Sequence, residues 1–161
     1  MRHAAAEPGG DSDVDRELTG SGYHDALEAG RWLAGAGFTP DAALVSAARR
    51  AASTWLALAE GGSFEAVPAY SQTLYNASPE TTLDLLRETA DESVSLVVVG
   101  HNPTIAYLAQ LLDDGTGDDE AQTQMATGFP AGALARFEFT GRWSELELAS
   151  ARLVGFHVGH G

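Results

Sequence analysis

The sequence predicts a three-layer α/β/α sandwich: helices on both faces of a mainly parallel sheet, with an antiparallel pair at one edge. Two observations carry that prediction. Short apolar runs, Leu44-Val45 and above all Val94–Val99, alternate along the chain with segments of helical periodicity. Beyond residue 130 the alternation stops, and two strand-like stretches follow one another.

The elements follow in order. Residues 4–17 contain Glu7-Pro8-Gly9-Gly10-Asp11-Ser12-Asp13 and read as a polar, turn-rich loop. Leu18-Thr19 leads into a helix over 21–36, with Leu27, Gly30, Arg31, Leu33 and Ala34 at helical spacing and glycines 35 and 37 as its stop. A short buried strand is expected over 41–45, then a helix over 47–60 with Ala51, Trp55, Leu56 and Leu58 facing inward. Residues 65–69 form a weak strand bounded by Pro68. Ser78-Pro79 is a helix start, serine as N-cap and proline at the first helical position, for a helix reaching about residue 90. The β-branched run Val94–Val99 predicts a strand covered on both faces. Gly100-His101 turns the chain, Asn102 is expected to cap, and a helix runs from Pro103 to Leu112. Residues 113–119 are an acidic surface loop. Leu134–Phe139 alternates apolar and polar, and 143–154 is expected to be its antiparallel partner.

One domain over 1–161 fits the length, with no repeat and no inserted cap. A strand should precede Arg2-His3, where only Met1 stands. The sheet is therefore expected to lack its first strand, or to have that slot filled otherwise.

Nine basic residues, all arginine, against 23 acidic ones give a net charge of −14. Such a shell repels nucleic acid and anionic lipid, so neither is expected as a partner, while a basic protein partner is compatible. Zero cysteines exclude disulfides and thiolate chemistry. No apolar run approaches the roughly 20 residues of a membrane span, and the start has no apolar signal-peptide stretch. The chain reads as cytoplasmic. His157 and His160 stand three apart without a cysteine or carboxylate beside them, so no metal and no cofactor is expected.

Three short segments hold the chemistry: Arg2-His3, Ser46-x-x-x-Arg50, and Gly100-His101-Asn102-Pro103. Each alone reads as a terminus, a charged helix face or a turn. Together, at the carboxyl ends of strands, they converge on the rim where open α/β sheets gather ligands. Arg2 and Arg50 offer planar multi-donor cations for a phosphoryl group. Helix N-termini after Ser46 and Asn102 add backbone donors, and Asn102 is counted with Arg2, Arg50 and His101 as phosphate-binding. A neutral imidazole is a competent nucleophile near neutral pH.

The segments resemble the motifs of the histidine phosphatase superfamily, and within it the short, cap-less SixA-type phosphohistidine phosphatases. Arg2-His3 matches the family's Arg-His pair. Asp15-Arg16-Glu17-Leu18-Thr19, then Gly22, is similar to the segment leading into its first helix. Ser46-x-x-x-Arg50-Ala51 with Thr54 matches its Ser-x-x-x-Arg-Ala-x-x-Thr pattern, and Gly100-His101-Asn102-Pro103 its second histidine turn. The resemblance implies catalysis by His3, His101, Arg2 and Arg50, with His3 as nucleophile and Arg49 structural. Ala5 stands where relatives often carry a basic residue, and Asn76 where they often carry glutamate. That leaves Glu7, Asp15 and Glu17 as candidate acids. A phosphate ester needs a proton on its leaving alkoxide, often worth about 10²–10⁴-fold. A protonated phosphoramidate leaves as neutral imidazole, so a protein-borne phosphohistidine is the expected substrate. A small phosphorylated substrate, as for a phosphomonoesterase, and a catalytically silent phosphate- or phosphoprotein-binding module are the alternatives.

Overall fold

The computed structural model describes residues 1–9 and 12–160. Gly10 and Asp11 of the first loop, and Gly161 of the tail, lie outside the described residues.

Alternation in the strands builds the layers. β1 (Ala42–Ser46) is flanked by β2 (Pro68–Ser71) and β3 (Leu96–Val99), both parallel to it, in the order β2-β1-β3. Ala43 aligns with Pro68 on one side and Val97 on the other. Ala43, Val45, Val97 and Val99 face one way, onto α1 (Gly20–Gly35) and α2 (Arg49–Gly62). Leu44, Leu96 and Val98 face the other way, onto α3 (Pro79–Arg87) and α4 (Thr104–Leu112). The two periodicities thus account for helices on both faces.

α1 and α2 approach so closely that their backbones touch. A Cβ on Gly30 would stand 2.0 Å from Leu58 O, and one on Gly61 would stand 2.0 Å from Leu27 O. The buried stripe of α1 is Gly22, Ala26, Ala29, Gly30 and Leu33. Arg31 and Ala34 are exposed instead, and Leu56 of α2 is also exposed, because Trp55 and Leu58 already fill the inward arc.

The second half departs further from expectation. Pro103, not Asn102, occupies the N-cap position of α4, and no side chain caps it. An additional helix, α5 (Asp119–Thr127), follows the acidic loop with Asp118 as its N-cap. Its buried Ala121 and Met125 join Ile105, Phe129 and Phe156 in a cluster. β4 (Leu134–Glu138) pairs antiparallel with β5, which spans Arg152–His157 rather than 143–154. Residues 143–145 form a single 3-10 turn, anchored by Trp143 Nε1 donating to Ser93 O at 2.6 Å.

Residues 1–3 sit where the two sheets meet. The Met1 amine donates to Val98 O at 2.8 Å, Gly100 N to Met1 O at 3.1 Å, and His3 N to Gly100 O at 2.9 Å. On the other side Arg2 N donates to Ala133 O at 2.9 Å and Gly132 N to His3 O at 3.0 Å. This short bridge joins the end of β3 to the start of β4. Behind it an apolar cavity of about 350 Å³ separates the two strands, lined among others by Leu96, Val98, Phe137 and Phe139. Arg2 and Gly100 pair in an isolated parallel bridge at the edge of this cavity rather than in a full strand.

No helix among the described residues is long and apolar enough to cross a membrane.

Candidate active site

The carboxyl ends of β1 and β3 and the bridge of residues 1–3 bring the three segments into one cleft. The His3 and His101 rings lie 5.1 Å apart, centroid to centroid, tilted by 56°. Each ring is fixed by a partner on one nitrogen. His3 Nδ1–H donates to Ala4 O at 2.8 Å, which leaves Nε2 as acceptor of Arg50 Nε–H at 3.2 Å. His101 Nε2–H donates to Ser46 Oγ at 2.7 Å, and its Nδ1 accepts from Arg50 Nη2 at 3.3 Å. Both unprotonated nitrogens therefore meet the same guanidinium.

Arg50 is 6% exposed. Its burial is tolerated because its donors are used: Nη1 to Asp13 O at 2.6 Å and Nη2 to Asp13 Oδ2 at 3.1 Å, besides the two imidazoles. Thr54 explains the spacing of its motif. One turn beyond Arg50, the Thr54 hydroxyl donates to Arg50 O at 2.6 Å and accepts Ala4 N–H at 3.0 Å. The residue after the nucleophile candidate is thereby pinned to α2.

Arg2 reaches Phe129 O with Nη1 at 3.2 Å. Asn102 Nδ2 donates to the same carbonyl at 2.8 Å. The amide of Asn102 is committed to the Phe129 backbone, so its visible role is to hold the anchor of Arg2. Arg2 Nε and Asn102 Oδ1 are buried without a hydrogen-bond partner in the structure.

Electrostatics keep both imidazoles neutral. Burial, followed by Arg50 and Arg2, pushes the His3 pKa down to about 4. Burial, then His3 and Arg50, pushes His101 down to about 4. Burial is the largest cause for both rings, and the neighbouring guanidiniums add to it.

The acids suggested by sequence lie elsewhere. Glu17 pairs with Arg49 at 2.8 Å, Asp15 accepts from Ser12 at 2.6 Å, and Glu7 is exposed. Asp13 is the carboxylate that reaches the cleft, with Tyr75 donating to it. Sequence reasoning missed both. The available signals were position only: Asp13 lies in the loop after His3, and Tyr75 follows the carboxyl end of β2. The Tyr75 ring meets His101 edge-on at 5.3 Å, and the Arg50 guanidinium lies over it at 5.7 Å. His157 stacks on Trp32 at 5.3 Å, away from this cleft, and no group of three or more metal-ligating side chains occurs among the described residues.

Two guanidiniums beside two neutral imidazoles suit a tetrahedral oxyanion, with an unprotonated ring nitrogen available to attack it.

No protein-family model matches the chain. An uncharacterized protein of Mycobacterium tuberculosis is 39% identical over 160 residues, spanning 98% of this chain and 99% of its own length. Among solved structures, a candidate phosphohistidine phosphatase SixA from Nakamurella multipartitia superposes with a TM-score of 0.87 at 30% identity, over 100% of this chain and 94% of that one. Its counterpart from Agrobacterium tumefaciens superposes with a TM-score of 0.80 at 29% identity, over 98% and 94%.

Proposed function

The chain belongs to the SixA-type branch of the histidine phosphatase superfamily, and from that premise we propose that it hydrolyses protein-borne phosphohistidine through a covalent phospho-His3 intermediate. It is a phosphatase by family; the substrate and the intermediate are our reading.

The observation that carries the reading is the state of His3. With Nδ1–H held on Ala4 O, the lone pair is on Nε2, beside Arg50 and facing His101. Because its pKa is pushed down to about 4, the ring is unprotonated at neutral pH. Nε2 attacks phosphorus in line, and the substrate P–N bond breaks with its electron pair passing to the leaving imidazole. Arg2, Arg50 and His101 hold the equatorial oxygens. The incoming dianion offsets the positive surroundings of His101, which takes up a proton as the anion binds. Water then attacks phospho-His3. Nδ1–H stays on Ala4 O throughout, so the ring leaves neutral and phosphate is released.

The acid–base inventory favours a phosphoramidate over an ester. Among the described residues Asp13 is the carboxyl that reaches these imidazoles, and Tyr75, Arg16 and Arg50 hold it well below the usual carboxylate range. An ionised carboxylate has no proton to give an alkoxide. The absence of an inserted segment over the rim, among the described residues, suits a phosphohistidine presented by another protein.

Incubation with ³²P-labelled phosphoimidazole and quenching in alkali is expected to leave label on His3. His3→Ala is expected to lose the label and about 10³-fold or more of the turnover. Retained turnover in that variant would remove the mechanism.

A further inference from the structure

Asp13 has no task in the phosphoryl transfer above, yet it is one of the most firmly held side chains at the cleft. Its Oδ2 accepts from Arg50 Nη2 at 3.1 Å and from the Tyr75 hydroxyl, and its Oδ1 accepts from Arg16 Nη1 at 3.1 Å. Its own carbonyl accepts from Arg50 Nη1 at 2.6 Å. Tyr75 is in turn placed by its edge contact with His101 and by the Arg50 guanidinium over its face. The Arg50 nitrogen that meets Asp13 is the same one that meets His101 Nδ1. The Asp13 side chain is 55% exposed, whereas that of Arg50 is 7% exposed. Asp13 therefore stands on the solvent side of Arg50, and His3 meets the same guanidinium through Nε. In-line transfer sends the leaving group away from the attacking nitrogen.

We propose that Asp13 is a specificity residue, a fixed negative charge at the cleft mouth that selects a cationic imidazole leaving group over an oxygen leaving group, with Tyr75 as its positioning residue. This rests on the reading of His3 as phosphoryl acceptor. In a protonated phosphoimidazole the P–N electron pair goes to one ring nitrogen, while the other keeps its proton. Asp13 Oδ1, which accepts from Arg16, retains acceptor capacity for that N–H. The ring enters positive and leaves neutral, and the carboxylate holds it in line. In an ester the leaving oxygen gains negative charge as the bond breaks, and the same carboxylate opposes it. One charge therefore acts in opposite directions on the two substrate classes. The hydrogen bond from Tyr75, the largest influence, keeps the carboxyl ionised while the substrate binds.

The test compares phosphoimidazole with p-nitrophenyl phosphate, whose leaving groups have similar basicity and different charge. Asp13→Asn is expected to lower kcat/KM for phosphoimidazole about tenfold and to raise it for the ester, a charge effect discounted for the exposure of Asp13. Asp13→Glu should retain the wild-type preference. Tyr75→Phe, which leaves the carboxylate but frees it, should shift the ratio in the same direction by a smaller factor. Equal loss on both substrates would make Asp13 merely structural and overturn the proposal. Binding of inorganic phosphate separates the two ideas. If wild type turns over neither substrate, the phosphatase reading fails by itself. Phosphate affinity that does not rise in Asp13→Asn overturns the charge argument whether or not turnover is seen.

Discussion

Acidification tests the electrostatics of the cleft directly. The unfolded chain carries His3 near the ordinary pKa of 6.5, and the folded chain holds it at about 4. Between those values the unfolded state binds the extra proton, so folding stability falls as pH falls. The contribution is fully present above pH 6.5, is lost progressively on the way to pH 4, and stops changing below that. A displacement from 6.5 to about 4 corresponds to about 3 kcal/mol for a well-buried ring, at 1.36 kcal/mol per tenfold. His101 moves in the same direction, but it is more open and part of its displacement is the charge of His3 itself, so its share is smaller. Urea unfolding followed by tryptophan fluorescence, with Trp55 buried as the reporter, measures the sum at pH 7.5, 5.5 and 4.5. The variant His3→Gln isolates the His3 part. It should lose about 2.5 kcal/mol less than wild type across that interval, the rest of the His3 contribution going below pH 4.5. Titration of the ring resonances should place His3 near 4 in the free protein and raise His101 when phosphate is added. A His3 resonance titrating near 6.5, or parallel stability losses in wild type and His3→Gln, would refute this account of the site.

Two further substitutions test how the scaffold holds the cleft. Thr54→Val keeps the shape of the side chain but strips the buried Ala4 N–H of its acceptor. It should cost about 1–3 kcal/mol in chemical denaturation and lower kcat with it, since Ala4 O orients His3. Gly30→Ala drives a methyl into Leu58 O and should cost about 3 kcal/mol by the same assay, leaving the pKa of His3 where it was.

The parallel core was legible because its signals are local. Val97, Val98 and Val99 form an uninterrupted β-branched run, and Ser78-Pro79 states the start of α3 in two residues. α5 was not legible, since Asp119–Thr127 buries only Ala121 and Met125 and shows almost no apolar stripe. Asp118 as cap was its sole local mark. β5 was displaced because Trp143 and Leu146 look like strand residues but pack from a turn and an extended segment, under α3. The same division runs through the site. Arg2, His3, Arg50 and His101 sit at the ends of regular elements, where spacing is informative. Asp13 and Tyr75 are 62 residues apart and meet only because the 3-10 turn of Asp13–Asp15 is held at Arg50 of α2. No periodicity encodes such a contact.

The missed helix and the missed carboxylate bear on the same cleft from opposite sides. Phe129 follows α5, and its ring packs edge-on against Phe156 at 5.2 Å while its carbonyl receives both Arg2 and Asn102. α5 therefore reaches the site through one backbone oxygen. Across the cleft, Arg50 receives its orientation from Asp13 and gives it to both imidazoles. Each guanidinium is thus fixed by a segment outside the three recognisable motifs. On the proposed mechanism the motifs supply the reacting groups, whereas the distances between those groups depend on a helix and a loop that no motif marks. Variation in those two segments can consequently change substrate preference while Arg2, His3, Arg50 and His101 stay the same.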